Sequence, residues 1–173
     1  MSPHTLIHTA LVVEAKPIIG YFGLTCKEKK PFNIYANDDI VLIVSGIGGE
    51  KTHAALAYAL IRFEPRIAIN IGIAGCVDES VPKGKLFCAT HGDLTIPFAT
   101  LSSHDEPILN RLHVKTTLVD MEADAFLLSI PKGIQTYVFK VVSDHLDSTI
   151  PSRVDVGNWI GKSIKAWENY VRF

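Results

Sequence analysis

The chain has 173 residues, 47% of them hydrophobic, a mean hydropathy of +0.22 and a net charge of −1; this suits one well-cored domain over 1–173 and is too apolar for a disordered chain. Near-balanced charge and a pI of about 6.6 leave no basic field for a phosphate backbone, so nucleic acid is not an expected partner. No run approaches the roughly 20 apolar residues of a membrane span.

In chain order, short branched runs alternate with helix-like spacing. Leu6 to Val13, Ile40 to Val44, Ile67 to Ile71, Leu86 to Ala89, Thr116 to Val119 and Tyr137 to Val142 read as strands, several of them apolar on successive residues and so covered on both faces. Between them, Gly49 to Phe63 carries Ala54, Ala55, Tyr58, Ala59 and Ile61 at helical spacing and is closed by Pro65. Glu122 to Ser129 and Val154 to Val171 are further helices, and Thr90 to Pro107, with Gly92, Pro97, Ser102 and Ser103, reads as loop. This alternation predicts an α/β fold with a mostly parallel or mixed sheet.

Cys26, Cys76 and Cys88 are odd in number, far apart and in no ligand spacing, which predicts neither a disulfide framework nor a zinc site and fits a reducing cytoplasm. His4 and His8 near the start are not part of a charged region ahead of an apolar stretch, so no targeting segment is expected.

Ligands of open α/β sheets bind beyond the carboxyl ends of the strands. Glu14 follows the first run, Ser45 to Gly49 (SGIGG) the run ending at Val44, Gly72 to Cys76 (GIAGC) the run from Ile67, Asp120 to Glu122 (DME) the run ending at Val119, and Ser143 to His145 (SDH) the last. Each alone has an ordinary structural use: glycines for tight turns, Asp120 as a helix N-cap, Glu122 as a first-turn acid, Asp144 as a turn cap. Together, five strand ends carry residues that a small-molecule site could use.

The ordered set VVEAKPIIGYFGL, VSGIGGEKTHAAL, INIGIAGCVDESVPKGKL, LVDMEADAF and FKVVSDHLD resembles the superfamily of purine nucleoside phosphorylases and methylthioadenosine/adenosylhomocysteine nucleosidases, over about positions 10 to 150. The resemblance implies a three-layer fold, a mixed, mostly parallel sheet flanked by helices, and hydrolysis of the N-glycosidic bond of a purine nucleoside. It makes Asp144 the acid that protonates the leaving purine and Glu14 the carboxylate that orients or deprotonates water. Glu122 would bind the ribose hydroxyls, Met121 would pack on the sugar, and Ala74 and Gly75, with Ser143 beside them, would lie close to base and sugar. Ile47 would line the pocket for the 5′ substituent. It implies no metal or organic cofactor, and a homo-oligomer, dimer or hexamer.

The chemistry needs such a set, because the sugar becomes cationic as the bond breaks and the purine leaves poorly unless protonated. Phosphorolysis would need a phosphate site. Ile73 stands where a hydroxyl is usual, and Arg62 and Arg66 lie at the wrong ends of their elements, which favours hydrolysis, although Ser45-Gly46 keeps phosphate open. The segment from Thr90 to Leu101 is short for the family and thins the expected purine wall. A relative that binds nucleosides without turning them over is the remaining alternative.

Overall fold

The computed structural model describes residues 3–147 and 149–172; the expected domain span of 1–173 also includes positions 1, 2, 148 and 173, which lie outside them. In chain order, β1 is Thr5–Thr9, α1 Val12–Phe22, β2 Thr25–Glu28, β3 Asn33–Ala36 and β4 Ile40–Val44. Next come α2 Gly49–Arg62, β5 Ile67–Cys76, β6 Leu86–Cys88 and β7 Leu101–Ser103. After a 3-10 turn at Arg111–His113, the chain forms β8 Leu118–Asp120, α3 Ala123–Ser129, β9 Gln135–Asp144 and α4 Arg153–Trp167, which tightens into a 3-10 turn over Glu168–Val171.

The sheet is built on four parallel strands in the order β4-β1-β5-β9. β3 and β2 extend it antiparallel beyond β4, and β6 lies antiparallel on β9. The hub is β5. Its first residues pair with β1, its last two, Gly75 and Cys76, pair antiparallel with β8, and β9 follows it from Ile67 to Gly75 on the other edge.

Successive residues of the buried strands face opposite helices, which is why these runs are apolar without alternation. Ile7, Leu42, Ile69 and Phe139 meet Ile18 of α1 and Ile160, Ile164 and Trp167 of α4. Leu6, Val41, Ala68 and Val138 meet Ala55, Leu56 and Ala59 of α2 and Phe126 of α3. The result is a three-layer α/β fold with a mixed, mostly parallel sheet, as the resemblance implied.

The contact between α1 and α4 has a local cause. Pro17 lies inside α1 and lacks the N–H that Val13's carbonyl would accept. Opposite it, α4 carries Gly157 and Gly161 one turn apart. A Cβ on Gly157 would stand 3.9 Å from the Val13 carbonyl oxygen, and one on Gly161 3.4 Å from Pro17 Cβ. Small residues at these two places bring the helices close over the proline.

Several boundaries differ from those read in the sequence. The first strand stops at Thr9, because Val12 and Val13 begin α1, a helix the periodicity did not reveal. The β2–β3 hairpin was missed, and its exposed first strand explains why. The stretch read as loop from Thr90 to Pro107 contains β7, parallel to β8. Gly72 to Cys76 is not a turn after a strand but the second half of β5, with an irregularity between Ala74 and Gly75. The last helix begins at Arg153 and loses α-helical form at Glu168.

Candidate active site

Glu14 is the third residue of α1, and its side chain turns back over the helix start. Oε2 accepts from the backbone N–H groups of Ala10 (3.1 Å) and Leu11 (2.8 Å), and Oε1 accepts from Ile73 N–H of β5 at 3.0 Å. One carboxylate thus ties the end of β1 to the middle of the site. Gly72 makes this approach possible, since a Cβ there would stand 3.0 Å from Glu14 Oε1. Glu14 is 2% exposed, and burial raises its pKa to about 6 against the opposing pull of the Ile73 and Leu11 N–H donors and of Lys140.

Asp120 ends β8 and does cap a helix: Oδ2 accepts from Ala123 N–H at 3.0 Å. The same oxygen lies 2.6 Å from Lys140 Nζ, and Oδ1 accepts from Ser103 Oγ at 2.5 Å. Burial would raise its pKa, but Lys140 and these donors hold it below the ordinary carboxylate range. Glu122 precedes α3 instead of lying in its first turn. Its Oε1 accepts from Gly48 N–H (2.8 Å) of the glycine turn, and burial raises its pKa.

Asp144 ends β9. Oδ2 accepts from Ser143 Oγ at 2.6 Å, and Oδ1 accepts from Leu146 N–H at 3.0 Å in a turn that puts Leu146 at φ 58°. Gly75 faces this turn so closely that a Cβ would stand 2.4 Å from Leu146 Cδ2 and 2.9 Å from Asp144 Oδ1. His145 points elsewhere, bonding to the Val81 carbonyl at 2.9 Å.

These groups share one cleft of about 430 Å³. Glu14, Ile47, Ala74, Gly75, Met121, Glu122, Ser143 and Asp144 all line it, together with Ala10, Leu11, Ile73, Val119 and Asp120. Leu146 and Asp147, at the end of the FKVVSDHLD motif, border it, and two stretches not singled out in the sequence complete its rim, Glu106 to Leu109 and Thr149 to Pro151. Neither carried a motif that would have announced it.

Lys140 was also missed, although a lone lysine inside YVFKVV was a readable signal of a buried charge. Burial would lower its pKa, but Asp120, Glu122 and Glu14 together raise it. Deeper still on the same face of the sheet, His8 bridges Ser45 Oγ and Asn70 Nδ2, each at 2.8 Å, while Ser45 Oγ donates to the Gly46 carbonyl at 2.7 Å. This network braces the turn whose Gly48 N–H holds Glu122. Among the described residues, no group of three or more His, Cys, Asp or Glu is arranged to hold a metal ion.

The chain resembles several solved structures in fold. A futalosine hydrolase mutant of Helicobacter pylori strain 26695 superimposes with a TM-score of 0.82 at 15% identity, covering 98% of each chain. A mutant 5′-methylthioadenosine/S-adenosylhomocysteine nucleosidase of Helicobacter pylori, with 5′-methylthioadenosine in its active site, gives 0.83 at 15% identity over 99% of each. The corresponding nucleosidase of S. pneumoniae, with a transition-state inhibitor, gives 0.79 at 13% identity over 96% of this chain and 97% of that one. Comparison with curated protein sequences found no match. The family model described as Phosphorylase superfamily matches residues 13–129, well over half of the chain, and this protein belongs to that superfamily.

Proposed function

We propose that the cleft hydrolyses the N-glycosidic bond of a purine nucleoside. The observation that carries this reading is the convergence of Glu14, Glu122 and Asp144, from three separate elements, on one cleft of about 430 Å³. Glu14, with a pKa of about 6 and its carboxylate fixed by three backbone donors, is ionised near neutral pH and suited to take a proton from water. Asp144, oriented by Ser143 and Leu146, delivers a proton to the leaving base. Glu122 keeps one oxygen on Gly48 and offers the other to the ribose hydroxyls, with Met121 against the sugar. Ala74 and Gly75 let the strand backbone lie close to base and sugar, and Ile47 borders the 5′ substituent.

Water is favoured over phosphate as the nucleophile because no Lys or Arg is among the residues lining the cleft. Lys140 lies behind Asp120, 1% exposed, and Ser45 Oγ is engaged by His8 and Gly46. The same proposal includes action in the cytoplasm, where exposed Cys26 stays reduced, and assembly as a homo-oligomer, dimer or hexamer, which light scattering after gel filtration reads.

Incubation with methylthioadenosine, adenosylhomocysteine, inosine and adenosine, with and without phosphate, tests the reaction. Free base without phosphate is expected. Strict phosphate dependence would make the protein a phosphorylase, and heat of binding without product a nucleoside-binding relative.

A further inference from the structure

His8 of β1 and Asn70 of β5 are paired across neighbouring strands, Ser45 follows β4 on the other side, and all three are buried, with His8 stacked on Phe126 of α3. The donors fix the tautomer of the histidine. Ser45 Oγ gives its proton to the Gly46 carbonyl at 2.7 Å, so it accepts from His8 Nε2–H, and Nδ1 is left to accept from Asn70 Nδ2. Burial, and then Lys140, hold the His8 pKa down at about 3, which keeps the ring neutral and able to accept on one side and donate on the other. The three bonds therefore run one way, from Asn70 through His8 and Ser45 to Gly46, and each polarises the next.

This direction leaves Asn70 Oδ1, on a residue 1% exposed, with no partner among the described residues. Turning the amide over would pair Oδ1 with an Nδ1–H, but Ser45 would then donate to His8 and release the Gly46 carbonyl. A buried oxygen stays unpaired in a chain of bonds that ends on the glycine turn.

That turn connects two carboxylates of the cleft through the backbone. Gly46 N–H donates to the Ala10 carbonyl at 2.9 Å, Ala10 N–H donates to Glu14, and Gly48 N–H donates to Glu122. Gly46 and Gly48 lie at φ 91° and 102°, and with no side chain to restrict them, the shape of the turn depends on what its polar groups bond. Glu14 keeps Leu11 and Ile73 N–H as further donors, so a shift of the turn falls on Glu122.

We propose that His8 is a positioning residue for ribose recognition: through Ser45 it fixes the Gly46 peptide, and with it the Gly48 N–H that aims Glu122 at the sugar hydroxyls. His8 itself touches no substrate. The proposal rests on the nucleosidase reading of the cleft and adds a support to it from the far side of the turn.

The test is a double-mutant cycle on 5′-methylthioadenosine, with its 2′,3′-dideoxy analogue as competitive inhibitor. His8→Leu is expected to raise KM by roughly three- to tenfold, the range of one neutral hydrogen bond, with kcat and the inhibition constant of the dideoxy analogue little changed. Ser45→Ala breaks the chain one bond later and does the same, which keeps the test open if His8→Leu does not fold. His8→Gln puts an amide N–H near the place of Nε2–H and restores KM. In a Glu122→Gln background His8→Leu adds no further loss. Equal loss for both ligands, an undiminished loss in that background, or an unchanged KM in both His8→Leu and Ser45→Ala overturns the assignment. Hydrogen exchange at the Gly48 amide needs no ligand: its protection should fall in His8→Leu relative to the β4 amides and survive in His8→Gln. If no nucleoside binds, the nucleosidase reading fails, and unchanged Gly48 protection in His8→Leu separately overturns the hold of His8 on the turn.

Discussion

Lys140 Nζ lies 2.6 Å from Asp120 Oδ2, with both side chains 1% exposed, directly beneath the two glutamates of the cleft. A pair so deeply buried is costly to form and more costly to break from one side. Lys140→Met leaves Asp120 uncompensated and is expected to cost about 3–5 kcal/mol of stability in urea unfolding at neutral pH. Lys140→Met/Asp120→Leu is expected to recover part of that loss. The recovery is incomplete because Asp120 also holds Ala123 N–H and Ser103. A single variant as stable as wild type would show that Asp120 does not depend on this lysine.

His8 predicts an acid-labile step in stability. Burial, and then Lys140, lower its pKa from 6.5 to about 3, so the folded protein keeps it neutral while the unfolded chain protonates it. This contribution is complete above about pH 6.5 and is lost as pH falls toward 3, up to about 5 kcal/mol at 1.36 kcal/mol per pH unit. Glu14 acts in the opposite sense. Its pKa is raised from 4.5 to about 6, so its contribution is present below 4.5 and is lost as pH rises through 6, about 2 kcal/mol. His8→Gln should flatten the loss of stability on the acid side of a stability–pH profile, and Glu14→Gln should remove the opposing loss as pH rises from 4.5 to 6. Chemical denaturation across pH 4 to 8 separates them.

Asp144→Asn keeps the shape of the turn but delivers no proton, and is expected to lower kcat on purine nucleosides by about 10²–10⁴ while affinity stays within roughly tenfold. A nitrophenyl riboside, whose leaving group needs no protonation, should still be cleaved by this variant and not by Glu14→Gln. In wild type, kcat should fall on the acid side with a midpoint near the Glu14 value of about 6. Equal loss of the nitrophenyl substrate in both variants would remove the proposed division of roles.

Glu122→Gln retains an oxygen for Gly48 N–H and loses the charge offered to the sugar. Ribonucleoside affinity should drop by about 10- to 100-fold, the value of one charged hydrogen bond, with 2′,3′-dideoxy analogues nearly unaffected. Paired calorimetric titrations measure both. The same loss for both ligands would move the ribose contact away from Glu122.

What could be read from the sequence divides along physical lines. Ile40 to Val44 and Gly49 to Arg62 stand out because burial on both faces or on one helical stripe leaves a strong pattern, and the observed bounds nearly coincide with the reading. α1 was missed because Val12 and Val13 continue the apolar run of β1, and the change of direction is made by Glu14 bonding the backbone of Ala10 and Leu11. That event depends on a side chain folding back and has no periodicity. Gly72 to Gly75 looked like a turn for the opposite reason: these glycines serve close approach by Glu14 and Leu146 within a continuous strand. The residues of the cleft were legible because each stands next to a recognisable strand end. Its rim was not, since Glu106 to Leu109 and Ile150 to Pro151 are placed only by the packing of distant elements.

The position of β5 has a consequence for hydrogen exchange. Paired on both edges and covered on both faces, its amides from Ile67 to Asn70 open only when the whole sheet opens, and should be among the last to exchange. The rim segments around Glu106 and Ile150 lie in no strand or α-helix and exchange through local opening instead. Ligand binding can therefore slow exchange at the rim by orders of magnitude while the Ile67 to Asn70 amides report unchanged global stability, apart from the mass-action gain that any bound ligand confers. One exchange experiment thus separates ordering of the cleft mouth from stabilisation of the core.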